Sequence, residues 1–188
     1  MMKAFVLLVA CLASLANSSG ILRASDIEPI STTDETDVTT TDPPETVTPE
    51  SCPEPFESIG KQCLLVDNFT KGTYQGMKQF CEMFHGRVVK IANAEALRAI
   101  SDYIYNNKLT TVSLWIGATD EFAEGTWKWE DGTHVLMGTP FWANYGCNND
   151  QSPDGGTSQN CAVLDKDLHF YFNDVKCDSD AGVICEVL

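Results

Sequence analysis

Oxygen-bearing side chains collect in one short part of this 188-residue chain, between Cys147 and Cys177. Gln151, Ser152 and Asp154 flank Pro153, Gln159 stands two residues before Cys161, and Asn173 and Asp174 follow Phe172. Carboxylate, amide and hydroxyl oxygens on a proline-stiffened loop are what Ca²⁺ takes as ligands, about six to eight of them at roughly 2.3–2.6 Å. The chemistry expected is therefore cation-assisted binding. Bond breaking is not expected, because the chain has no His-Glu-x-x-His, Gly-x-Ser-x-Gly or Cys-x-x-Cys. The histidines are His85, His134 and His169; the last lies near Asp165 and Asp167, and a strand-edge histidine beside solvated acids accounts for it. The chain is not expected to be an enzyme.

The elements that hold such a loop must come from a single domain, since this length makes one domain plus extensions. Lys3, the apolar run 4–15 and the small residues around Ala16 form a secretory signal peptide over 1–16, too short to span a membrane. Residues 17–51 are rich in Thr, Ser and Pro, set eight acids against Arg23 alone, and carry almost no large apolar side chain. They form a disordered acidic linker, bare or O-glycosylated. The mature protein is expected to be secreted, extracellular and oxidised at its cysteines. A net charge of −15 excludes nucleic acid and anionic membrane surfaces as partners, because both recruit proteins through Lys and Arg.

From Cys52 onward aromatics, glycines and short apolar runs appear, marking the folded domain as 52–188. Tyr74, Met77, Cys81 and Phe84 recur at helical spacing and predict a first helix over 70–84. Asn93 caps a second, with Leu97, Ile100 and Ile104 as its buried stripe and an end near Asn106. Short strands follow at 113–116, 126–129, 161–164, 170–173 and 183–187, the second running into an Asp131-Gly132 hairpin turn. Helices first and strands later make an α+β domain. Regular structure is sparse from 132 to 159, and a loop of that length in a compact domain is usually functional. Asn68-Phe69-Thr70 is an N-glycosylation sequon, placed on a loop ahead of the first helix.

Three motifs carry a resemblance: Trp115-Ile116-Gly117-Ala118, Trp127-Lys128-Trp129 followed by Asp131-Gly132, and Ile184-Cys185-Glu186. With the Ser152-Pro153-Asp154 and Phe172-Asn173-Asp174 triplets they make 52–188 similar to the C-type lectin domain family. The resemblance implies a C-type lectin-like fold, with two helices flanking small antiparallel sheets and a long ligand-binding loop. It also implies disulfides Cys52 to Cys63, Cys81 to Cys185 and Cys161 to Cys177, as in the long form of the domain. Cys147 is not placed by these pairings, and its position in the long loop predicts an intermolecular bridge and a homodimer.

The same resemblance implies calcium-dependent binding of glycans. Asp154, Asn173 and Asp174 keep the family's ligand positions, while Ser152 stands where Glu or Gln is usual and Gln159 where Glu is usual. Either Ser152 or, after a one-residue shift, Gln151 completes the set, and both alternatives stay open. Gln151, Ser152, Asp154, Gln159 and Asn173 would contact the sugar, with Asp154 inclining the preference toward galactose-type ligands. Few anionic ligands make a weak Ca²⁺ site. An auxiliary site at Asp120 and Glu124 is expected to be weak or absent, because its other positions are Gly155 and Asn160 and the two acids read as a solvated turn. The rival reading is a lectin-like domain that has lost calcium and binds protein, lipid or mineral surfaces.

Overall fold

The computed structural model describes residues 52–188; the expected signal peptide 1–16 and linker 17–51 lie outside them. The domain opens with β1 (Glu57–Ile59) and β2 (Gln62–Gly72), paired antiparallel across Gly60, whose φ of +63° a residue without a Cβ adopts freely. The long β2 replaces part of the expected first helix. Thr73 caps α1 (Tyr74–Met83), its side-chain oxygen accepting the Gly76 N–H at 3.3 Å, so residues 70–72 finish a strand instead. Of the expected apolar stripe Tyr74, Met77 and Cys81 are buried, while Phe84 is the half-buried C-cap beyond the helix.

After β3 (Gly86–Val88), α2 (Ala94–Asn106) begins at Asn93, whose Oδ1 accepts the Ala96 N–H at 2.9 Å, and buries Leu97, Ile100 and Ile104 as expected. The remaining strands are β4 (Leu114–Thr119), β5 (Lys128–Trp129), β6 (Asn144–Tyr145), β7 (Asp150–Gln151), β8 (Cys161–Asp165), β9 (Tyr171–Val175) and β10 (Ala181–Val187). Eight of the strands form one sheet whose central path runs β1-β2-β10-β4-β8-β9, with β3 on β10 and β5 on β4; β6 and β7 form a separate hairpin. Among the described residues all strand pairings are antiparallel except β4 with β10. The expected α+β arrangement of two helices with antiparallel sheets is present, and the larger sheet gathers eight strands because the last strand inserts between the first hairpin and β4.

Two apolar clusters hold the sheet. One, on the α1 side, packs Tyr74, Met77, Trp115 and Val183 around the Cys81–Cys185 and Cys161–Cys177 disulfides. The other joins α2 to an aromatic group beneath the long loop, where Trp142 lies 4.9 Å from Trp127 and 5.7 Å from Phe172 between ring centroids. Gly117 lets β3 and β4 approach closely: a Cβ there would lie 2.7 Å from the Val88 carbonyl oxygen. Cys52 bonds to Cys63, so all three expected disulfides are present. Cys147 is disulfide-bonded as well, and a homodimer bridged through it is not shown.

Candidate binding site

Backbone hydrogen bonds deliver the loop to β9. The Phe172 N–H donates to the Phe141 carbonyl at 2.8 Å, the Ala143 N–H to the Phe172 carbonyl at 2.9 Å, and the Ser152 N–H to the Ala143 carbonyl at 3.0 Å. Phe172 itself is fully buried among Trp129, Phe141 and Trp142, so the next two residues of β9 are held rigidly beside Ser152. The Ser152 hydroxyl donates to Asn173 Oδ1 at 2.6 Å, and Asn173 Nδ2 donates to Asp165 Oδ2 at 2.9 Å. The Asp154 N–H reaches both carboxylate oxygens of Asp174 at 3.1 Å, and the Gly155 N–H reaches Oδ2 at 2.6 Å.

Asp174 is buried and Asp154 is exposed. Burial pushes the Asp174 carboxyl above its ordinary value and the Asp154 charge adds to this, while the amides of Gly155 and Asp154 act in the opposite direction. Asp154 has a further partner that the sequence did not reveal. The Tyr145 hydroxyl donates to Asp154 Oδ2. That bond, then burial, then the charges of Asp154, Asp174 and Asp150 push the phenol up to about 12. A cluster of acids and neutral oxygens thus surrounds one small region of the loop. Each carboxylate has about four lone-pair positions, so accepting amide or phenol protons leaves capacity for a cation.

The model of the lectin C-type domain matches residues 70–187, most of the described fold. The chain belongs to the C-type lectin domain family. Mouse asialoglycoprotein receptor 2 is 27% identical over 139 residues, 73% of this chain but 42% of the receptor, so the chain spans less than half the length of that relative. The mouse scavenger receptor C-type lectin carbohydrate-recognition domain superposes with a TM-score of 0.57 at 28% identity, covering 72% of this chain and 97% of that one. A calcium-independent type II antifreeze protein shares the fold at a TM-score of 0.56 and 22% identity, covering 72% of this chain and 92% of its own.

Within this C-type lectin domain, the structure brings Ser152, Asp154, Asn173 and Asp174 together. Gln151, the alternative to Ser152, is exposed on the β6–β7 hairpin opposite Asn144. Gln159 lies at the edge of the group, against Gly155: a Cβ on that glycine would overlap its side chain, at 1.9 Å from Oε1. Asp120 is not in a solvated turn. It is buried, Oδ2 accepts the Gly125 N–H at 2.8 Å, and its amide donates to the Asn160 carbonyl at 3.2 Å. Asp120 Oδ1 and Asn160 Oδ1 are both buried without a hydrogen-bond partner, whereas Glu124 is exposed. Asn68 lies inside β2 rather than on a loop and is buried, because Asp, Asn and Gly in 67–72 imitate a turn while β10 pairs with them as a strand. The only sign of Tyr145 in the sequence is that it is a lone aromatic among Asn, Asp and Gly.

Proposed function

We propose that this C-type lectin domain binds glycans outside the cell with the help of one weakly held Ca²⁺ ion. Asp154 and Asp174 would provide its anionic oxygens, Ser152 and Asn173 neutral ones, and Gln159 an amide at the margin. The observation that carries the reading is the buried Asp174 carboxylate tied through the Asp154 amide to a second carboxylate. Two close acids, one of them desolvated, are costly unless a cation or protons compensate them. The ion supplies a positive centre for sugar hydroxyls. Asp154 accepts hydrogen bonds from hydroxyls, and the Asn173 amide has a second N–H to donate. An acid at position 154 inclines the preference toward galactose-type sugars.

The unpartnered Asp120 and Asn160 oxygens fit an auxiliary cation too, held with few charges and therefore loosely. Disulfides belong to proteins matured in an oxidising compartment, in keeping with secretion directed by residues 1–16. Calorimetric titration of calcium tests the principal site. Wild type should bind with a Kd of roughly 10⁻⁴ to 10⁻³ M, the level of extracellular modules, and Asp174→Asn should lose that heat. No calcium heat from wild type would contradict the reading.

One observation favours a second reading. Ser152, Asn173 and Asp165 form a continuous chain of hydrogen bonds, and the Tyr145 hydroxyl donates to Asp154. A loop satisfied in this way holds its shape without an ion, as calcium-independent binding of a protein, lipid or mineral surface requires.

A further inference from the structure

Two adjoining hollows of about 530 and 340 Å³ share Pro140, His169 and Tyr171. Together they make a groove between the long loop, the β8–β9 connection and α2. Its larger part is lined by Tyr145, whose hydroxyl donates to Asp154, and its other end reaches Tyr105 on α2. We infer that this groove is a subsite for the second and later rings of a neutral oligosaccharide whose terminal ring sits at Asp154. The inference rests on the glycan reading above and adds a ligand length and a second contact surface to it.

The walls suit a sugar chain. A pyranose ring offers an apolar C–H face and a rim of hydroxyls, which calls for aromatic faces interleaved with amide, carboxylate or imidazole groups. Tyr171 and Tyr105 are 42% and 49% exposed, and Asn144, Asp167 and His169 supply the polar positions. Trp142 underlies the groove and is immobilised, its indole N–H donating to the Leu136 carbonyl at 3.1 Å. The larger hollow, the part next to Tyr145, has no Lys or Arg in its lining, while Arg98 stands in the smaller one on the α2 side, so a neutral chain suits the rings that follow the terminal one.

The turn beside the groove is held in a costly conformation. His169 and Phe170 both have left-handed φ, 57° and 60°, rare for one non-glycine residue and more so for two in succession. Phe170 anchors the pair: its N–H donates to the Asp165 carbonyl at 2.8 Å, and its buried ring meets Tyr105 edge-on at 5.6 Å. The result is an exposed His169 next to an exposed Tyr171, both presented at the groove by a rigid support.

Calorimetry in calcium with the whole chain tests this, using methyl galactoside against lacto-N-neotetraose and methyl mannoside against mannotriose. Wild type should bind the longer member of its preferred pair at least tenfold more tightly than the monosaccharide. Tyr171→Ala, at an exposed position, should lose that gain while keeping the monosaccharide Kd and the thermal midpoint; His169→Ala should lose part of it. Monosaccharide binding with no gain from chain length in wild type, or a gain that survives Tyr171→Ala, overturns the subsite alone. Absence of binding to every probe overturns the glycan reading and the subsite with it.

Discussion

Tyr145 is the residue that most changes how the loop is understood. Its hydroxyl donates to Asp154 Oδ2, so on the proposed reading a calcium ion would share that oxygen with a proton donor already in place. A hydrogen bond to a charged group is worth about 1–3 kcal/mol net, less where water replaces it. Tyr145→Phe is therefore expected to tighten calcium binding about fivefold, roughly 1 kcal/mol, in a calorimetric titration. Unchanged or weaker binding would show that the phenol does not compete. Ser152 gives a second test. Because it is buried against Asn173 while Gln151 is exposed, Ser152→Glu should strengthen calcium binding by about tenfold, or 1.4 kcal/mol, and Gln151→Ala should change it little. Loss of binding in Gln151→Ala would reverse the assignment. At this scale the sequence singled out Asp154, Asn173 and Asp174 from their triplets, and the fold brings them together with Ser152. The sequence was silent on Tyr145, because a contact across nine residues of aperiodic loop leaves no spacing to read.

Among the elements, both helices were legible because a 3.6-residue stripe and an Asn cap are local signals, and α2 follows them throughout. β2 was not, since it is a strand by virtue of its pairing to β10, more than a hundred residues away in sequence. The expected Asp131-Gly132 turn is present, with Gly132 at φ +81° and its N–H bonded to the Trp129 carbonyl at 2.8 Å. Hydrogen bonds from Lys90, then from the Thr133 hydroxyl and amide, hold the Asp131 carboxyl well below the usual carboxylate range. A depressed folded value stabilises the domain above the unfolded pKa of about 4 and is lost as pH falls through the lower folded one. Asp131→Asn should then melt below wild type at neutral pH, with the gap closing as the solution is acidified below pH ~4. A gap that stays constant with pH would contradict this. Gly117→Ala should cost about 1–3 kcal/mol in urea unfolding, since its Cβ meets backbone that cannot yield easily.

Over the whole molecule, stability depends on closing long stretches of chain. Cys81 and Cys185 are 104 residues apart and tie α1 to the last strand; Cys52 and Cys63 are 11 apart. On the chain-entropy model, replacing the first pair by alanines should cost about 5 kcal/mol and the second about 3 kcal/mol, a difference that denaturant unfolding resolves. The domain's identity was legible at this scale because several motifs kept their order, while the position of Cys147 in the covalent framework was not, since spacing alone cannot assign pairings. The most direct measurement is a glycan array probed with the whole chain in millimolar calcium and again in EDTA. Binding to glycans, galactose-terminated ones foremost, that disappears in EDTA is the expected result. Binding unaffected by EDTA, or confined to protein, lipid or mineral surfaces, would contradict a calcium-assisted lectin.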